Sequence, residues 1–209
     1  MSANFNNAAW FYDRLSRLVY GKALVDAQRF LLKFIPPDTG VLIVGGGTGW
    51  ILQELAELRP GGLQITYIEV SAKMTALSKS RNAGDNKVIF INDAVENVKL
   101  TGGYDVVITP FLFDNFTEAT FQKVFVHIHT FLKPGALWLN CDFRLTGKWW
   151  QWILLKSMFQ FFRIVCGIEA SDLPDIEKRF SQFQYKEIAG QAFFGEFISS
   201  QVFKKTAPV

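Results

Sequence analysis

Val41-Leu42-Ile43-Val44-Gly45-Gly46-Gly47-Thr48-Gly49 sets an apolar run directly before a cluster of glycines. Its first four residues are a short, unbroken apolar run. Such a run belongs to a strand buried on both faces, as inside a parallel sheet. The glycines that follow permit positive φ and let a ligand approach the backbone closely. Ile51, Leu52, Leu55 and Leu58 then recur at helical spacing, so the next helix presents its first N–H groups to the loop. Strand, glycine loop and helix together read as a ligand-binding unit. The competing reading is a turn that merely needs glycine.

Working outward, the same alternation repeats. Leu63 to Ile68 is a second strand, and Ser71 can cap the helix after it. Val88 to Ile91 is a third strand and Tyr104 to Ile108 a fourth. A helix from Glu118 to Leu132 ends at Lys133-Pro134-Gly135, and Ala136 to Asn140 is a fifth strand. Parallel neighbours need crossover connections, so helices should cover both faces of the sheet. Near the end of the chain, Tyr185 to Phe194 and Phe197 to Phe203 are separated only by Gly195-Glu196. So short a link makes a hairpin, which turns the last strand antiparallel. Residues 8–35 read as helical, broken at Gly21 and ended by Pro36-Pro37. The expected architecture is an α/β three-layer sandwich. It has a mostly parallel seven-stranded sheet, an antiparallel last strand and N-terminal capping helices. One domain spans 1–209, with a helical cap at 1–37, a binding core at 38–142, and a lid helix and hairpin at 143–209.

Composition excludes several classes. Of 209 residues, 49% are hydrophobic and 20% charged, enough for a sizeable core and too apolar for wholesale disorder. Lys+Arg 22 against Asp+Glu 19 gives +3, and the basic residues are scattered, so no nucleic-acid partner is expected. Cys141 and Cys166 have no Cys or His at ligand spacing, so neither a disulfide framework nor a metal is expected. The N-terminus lacks the basic start and apolar run of a signal peptide, and no stretch is apolar enough to span a membrane. A cytoplasmic location is the expectation. The odd figure is aromatic content, 15% with 21 Phe and 6 Trp. It asks for an aromatic core, an aromatic binding surface, or both.

In such sheets ligands bind at the carboxyl ends of the strands. The glycine loop is not the dinucleotide fingerprint, which would place its third small residue where Trp50 stands. It has no Gly-Lys-Ser/Thr either, so it is not a nucleotidase phosphate loop. Glu69 ends strand two, 20 residues after Gly49. It is placed to accept from two ribose hydroxyls, or it is a solvated strand-end charge. Asp93 follows strand three and can accept from an adenine amino group, or cap the short turn from Ala94. The loop Thr109-Pro110-Phe111-Leu112-Phe113-Asp114-Asn115 follows strand four, and core packing is the competing role for Phe111 or Phe113.

Together these features resemble the class I S-adenosylmethionine-dependent methyltransferases. The matching stretches are 41–49, Ile65-Thr66-Tyr67-Ile68-Glu69-Val70-Ser71, Asn92-Asp93-Ala94, Tyr104-Asp105-Val106-Val107 and Leu132-Lys133-Pro134-Gly135. The resemblance covers residues 38–142. Phe11-Tyr12-Asp13-Arg14-Leu15 adds a narrower likeness to the quinone-biosynthesis and phospholipid methyltransferase branch. The resemblance implies a Rossmann-like fold and S-adenosyl-L-methionine as cofactor. It implies cofactor contacts at Gly45, Gly46, Gly47, Thr48, Gly49, Glu69, Val70, Asp93, Ala94 and Thr109. The implied acceptor is a small, apolar or aromatic molecule near Tyr12, Tyr20, Phe111, Phe113, Trp149 and Trp152. Asp114, Asp142 and Tyr12 are the candidate bases. One departure stands out: Ile43 replaces the acidic residue that relatives commonly carry two positions before the first glycine. Polyamine synthases share the apolar-Gly-Gly-Gly form, and a cofactor-binding protein without catalysis is a further alternative.

His127 and His129 lie away from the strand ends and read as structural. The segment from Lys148 to Val165 is an amphipathic helix with Lys156, Gln160 and Arg163 on one face. Leu154, Leu155, Met158, Phe161, Phe162 and Val165 share the other, and Trp149 and Trp152 fall on the polar side. Three roles are open for it: a core-packing helix, a lid over an apolar acceptor, or an interfacial helix or dimer face touching a membrane or a second copy.

Overall fold

The structure is a computed structural model that describes residues 5–7, 9, 12–100 and 103–206, without the side chains of Asn7 and Tyr12. The strands are β1 (Gly40–Val44), β2 (Gln64–Ile68), β3 (Lys87–Ile91), β4 (Tyr104–Pro110), β5 (Leu132–Phe143), β6 (Tyr185–Phe193) and β7 (Ile198–Lys205). The helices are α1 (Tyr12–Tyr20), α2 (Ala23–Leu32), α3 (Trp50–Leu58), α4 (Ala72–Lys79), α5 (Glu118–Thr130), α6 (Trp149–Cys166) and α7 (Ile176–Gln182). The sheet order is β3-β2-β1-β4-β5-β7-β6. β1 to β5 pair in parallel, and β7 runs antiparallel between β5 and β6. The expected architecture is therefore present, including the reversed last strand.

Strand alternation sorts the core into two layers. Val41 and Ile43 of β1, and Val106 and Ile108 of β4, face Leu31 and Leu32 of α2, Leu55 of α3 and Phe159 of α6. Leu42 and Val44, with Val107, face Phe121, Phe125 and Ile128 of α5 and Phe180 of α7. The second layer absorbs much of the aromatic excess. Trp138 of β5 is fully buried at its centre, stacked on Phe125 at 4.6 Å and edge-on to Phe180 at 5.0 Å. Its indole N–H donates to Thr109 Oγ1 at 2.9 Å.

The break at Gly21 is real, with φ 59 between α1 and α2. The hairpin closes through Phe194 to Phe197, with Gly195 and Glu196 both at positive φ and Phe197 N donating to Phe194 O. Positive φ at both central residues matches the right-handed strand twist of a two-residue turn. Trp138→Ala should cost about 3–5 kcal/mol, because it leaves a large cavity and a lost partner for Thr109. Urea denaturation would read this as a lower midpoint with an unchanged slope.

Candidate active site

The site grows from the β1–α3 loop. An added Cβ at Gly46 would sit 2.4 Å from the Tyr67 ring, so the loop lies flat on that tyrosine. Tyr67 fixes it there by donating its hydroxyl to Gly47 O at 2.9 Å. At Gly47, φ is +63 and a Cβ would meet nothing within 4 Å. The backbone is thus bare toward open space at that point. Glu69, at the end of β2, is buried. Its Oε2 accepts from Gly47 N at 3.0 Å and its Oε1 from Ser71 N at 2.8 Å. Burial pushes its carboxyl above the ordinary value, against the pull of these N–H groups.

A cavity of about 650 Å³ opens above these loops. That is within the usual range for a small-molecule site. One part is lined by Gly45, Gly46, Gly47, Glu69, Asp93 and Ala94. Asp93 Oδ1 accepts from Ala94 N at 2.7 Å and from Asn97 Nδ2 at 2.9 Å. Asp93 is exposed, and among the described residues its Oδ2 has no hydrogen-bond partner, which leaves it for a ligand donor. The other part is lined by Tyr20, Phe111, Phe143, Met158, Phe161 and Phe162. Phe111 has φ 51, a left-handed conformation that costs a non-glycine residue of order 1 kcal/mol or more. It is held there by Phe111 N donating to Cys141 O and by Asn115 Nδ2 donating to Phe111 O. The constraint sets its ring against Phe143 at 5.3 Å, on the cavity wall.

The N-terminal segment roofs the cavity through polar pins. Thr48 Oγ1 donates to both carboxylate oxygens of Asp13 at 2.9 and 3.1 Å, and Arg81 reaches the same carboxylate. Asn6 Oδ1 accepts from Ser71 Oγ and Lys73 N at the start of α4. Phe5 meets Phe162 of α6 at 6.4 Å.

Most of the residues singled out from the sequence line this one cavity. Gly45, Gly46, Gly47, Thr48, Glu69 and Val70 do so, as do Asp93, Ala94, Tyr20, Phe111 and Asp114. Gly49 does not; a Cβ there would strike Ser78 backbone at 2.5 Å, so its glycine serves helix packing. Thr109 is fully buried between β4 and β5 and spends its hydroxyl on Asn140 and Trp138. Phe113 is likewise in the core, against Phe121 at 4.8 Å. Trp149 and Trp152 point outward, with 76% and 56% of their surface exposed. The opposite, apolar side of α6 lines the cavity instead, and the helical wheel already separated those two sides. Trp10, Phe11 and the Tyr12 side chain lie outside the described residues. His127 bonds Val98 O and His129 bonds the Tyr185 hydroxyl, both away from the cavity. Sequence reasoning missed Asp13, Asn115, Phe143 and Met158, which lie far apart in the chain or lack any motif.

Asp114 and Asp142 form a buried pair at the aromatic part. Asp142 accepts from Phe113 N at 3.0 Å and Phe143 N at 2.9 Å. Asp114 accepts from Asn115 Nδ2 at 2.7 Å and lines the cavity. Burial raises both carboxyls, and the Asp142 charge raises Asp114 further. The Tyr20 phenol is raised by its own burial and then by the Asp114 charge. A carboxyl raised on folding stabilises the protein below its unfolded value, and that gain fades as pH climbs through the folded value. The stability of Asp114→Asn relative to wild type should therefore rise as pH climbs from the ordinary carboxyl range through the raised value of Asp114. Melting temperatures of the two proteins across that window check it.

A family model described as a methyltransferase domain matches residues 41–135. The chain is 27% identical over 209 residues to the ubiquinone/menaquinone biosynthesis C-methyltransferase UbiE of Geotalea daltonii, covering 97% of this chain and 83% of that protein. It is 27% identical over 133 residues to the malonyl-[acyl-carrier protein] O-methyltransferase of Priestia megaterium, covering 64% of this chain and 44% of that protein. Among solved structures, the Burkholderia thailandensis 1,6-didemethyltoxoflavin-N1-methyltransferase, with bound 1,6-didemethyltoxoflavin and S-adenosylhomocysteine, superposes with TM-score 0.67 at 12% identity. That match covers 96% of this chain and 85% of the other. The mitomycin 7-O-methyltransferase MmcR superposes with TM-score 0.69 at 12% identity, over 89% of this chain and 55% of its own. At such identities the superpositions speak for the fold alone. The sheet order, the glycine loop on its buried glutamate and these relatives agree, and the chain is similar to the class I S-adenosylmethionine-dependent methyltransferases.

Proposed function

We propose that the protein methylates a small acceptor with an apolar or aromatic body. The observation that carries this reading is the division of one cavity into a polar part at the glycine loop and a ring-lined part beside it. The residues present fit the cofactor. Gly47 leaves its backbone open, and Glu69 is fixed by two N–H bonds that still leave lone pairs for two ribose hydroxyls. The free oxygen of Asp93 suits an adenine amino group, with Val70 and Ala94 against the ring. When bound, S-adenosylmethionine supplies a methyl group already activated on a sulfonium.

The chain then has to orient, exclude water and take a proton. Phe111, Phe143, Met158 and Phe162 supply apolar walls around the acceptor. Of the candidate bases, Asp114 lines this cavity, whereas Asp142 stands behind it and holds the turn that carries it. A carboxyl raised above its ordinary range is better matched to accepting a proton near neutrality. The quinone-directed name of the 27% identical relative supports an apolar ring as acceptor.

A cofactor-binding protein without transfer is the second reading, favoured by Ile43, which is fully buried among apolar neighbours instead of offering a carboxylate. Calorimetry with S-adenosylhomocysteine should show binding, and Glu69→Gln should weaken it by about 100-fold, since two charge-assisted bonds are lost. Equal affinity in the variant rejects the role given to Glu69. Radiolabelled methyl transfer to a panel of phenols and quinols then separates the readings. Cofactor bound with no acceptor modified supports the second.

A further inference from the structure

The outward face of α6 is unlike the rest of the surface. Trp149 is 76% exposed, Trp152 56%, Ile153 50% and Ile164 75%. Scattered exposed apolar residues are ordinary, but these share one helix. At 100° per residue, Trp152, Lys156, Trp149, Gln160, Ile153 and Ile164 fall in that order along one continuous arc. Arg163 lies in the same arc, and α6 contains no acidic residue. The next residues round the helix, Ser157 and Phe161, line the cavity. Apolar surface therefore continues from outside the protein to the cavity wall. Facing it, α1 lines the same cavity through Arg17 and Val19 and leaves Leu18 83% exposed. Arg14 and Arg17 on α1 are exposed as well, and its one acid, Asp13, is occupied by Thr48 and Arg81.

We propose that this face, α6 with the exposed side of α1, docks on an anionic lipid surface and sets the cavity mouth against it. The charge pattern fits: Arg14, Arg17 and Arg163 border the apolar strip, neither helix carries an unpaired acid, and Lys156 is held by the neighbouring Asp172. Tryptophan suits a water–apolar boundary, because its ring is apolar and its N–H seeks a polar partner. Size speaks against a second copy as occupant. One face of the 18-residue α6 (~27 Å by ~10 Å) and one of the nine-residue α1 (~14 Å by ~10 Å) together give ~400 Å², against ~800 Å² per partner in a stable complex. The proposal rests on the apolar-acceptor reading and names where such an acceptor comes from: the lipid phase, entering without crossing water.

The test is co-sedimentation of the full chain with vesicles of phosphatidylcholine alone and with one quarter phosphatidylglycerol, followed also by tryptophan emission. The wild type should bind the anionic vesicles, with a blue shift, and bind the neutral ones more weakly. Trp149→Ser/Trp152→Ser/Ile164→Ser should lose at least about tenfold in partitioning. It should keep its melting curve and its affinity for S-adenosylhomocysteine, because none of the three side chains lines the cavity. Arg163→Glu, a milder change, should lower binding to anionic vesicles only. No vesicle binding by a wild type that binds S-adenosylhomocysteine overturns the docking proposal and leaves the methyltransferase reading standing. A dimer in solution that the triple variant converts to monomer, without vesicle binding, assigns the face to a second copy and also overturns it. Failure to bind S-adenosylhomocysteine at all would strike the underlying reading instead.

Discussion

Everything in the site hangs on the buried carboxylate of Glu69. It accepts from Gly47 N in the loop after β1 and from Ser71 N at the start of α4. Asn92, after β3, extends the tie by donating to the backbone oxygens of Glu69 and Val70. Three successive strand-to-helix loops are thereby fixed relative to one another at one edge of the cavity. The charge is taken out of water, which raises its pKa, and backbone donors offset that cost. A neutral side chain here could not accept from both loops at once. The bond from Gly47 N to Glu69 and the bond from the Tyr67 hydroxyl to Gly47 O hold this loop from its two sides.

The roof is built on a different principle. Its polar pins use what the loops leave over: the Thr48 hydroxyl, the Ser71 hydroxyl and the Lys73 N–H. The Asp13–Arg81 pair is partly exposed, with 43% and 28% of the side-chain surfaces open, so it is worth at most about 1 kcal/mol. Weak pins over a rigid floor are what a site needs if ligands enter beneath the N-terminal segment. Nothing comparable loosens the floor, where the bonds to Glu69 are buried. The aromatic wall on α6 lies between these regimes, anchored by Leu155 and Phe159 in the core while Phe161 stays at the rim.

The sheet and its polar site were legible in the sequence because each has a local signal. A buried strand followed by glycines, and a carboxylate ending the next strand, occupy fixed places whatever surrounds them. The aromatic half of the cavity was legible in kind but not in detail. Tyr20 and Phe111 do line it, yet Trp149 and Trp152 face outward and Leu154, Met158, Phe161 and Phe162 take the inner side. Amphipathicity separates two faces of α6 but does not say which face meets a cavity, since an exposed indole and a lid indole look alike in sequence. Thr109 misled for a related reason. It stands at a strand end, but its side chain turns into the sheet, where Asn140 and Trp138 consume its hydroxyl. The Asp13–Thr48–Arg81 cluster joins residues 35 and 68 positions apart from Asp13, beyond any local pattern.

Ile43 stands where the resemblance leads one to expect an acid, and its surroundings suit an apolar side chain. Its place in β1 points its side chain into the layer beneath α2 and α3, among Val41, Leu31 and Leu55, with no exposed surface. A carboxylate there would need buried donors, and its immediate neighbours are hydrocarbon. The isoleucine suits that layer, and the anions of the cavity lie elsewhere: Glu69 and Asp93 at the glycine loop, Asp114 beside the rings. Burial raises the carboxyls of both Asp114 and Asp142, and the Asp142 charge raises Asp114 further. A cationic centre placed beside Asp114 would favour its ionised form, because opposite charges attract. The layer beneath the loop is thus left uncharged, and the titratable carboxyl of this half of the cavity is Asp114, beside the rings.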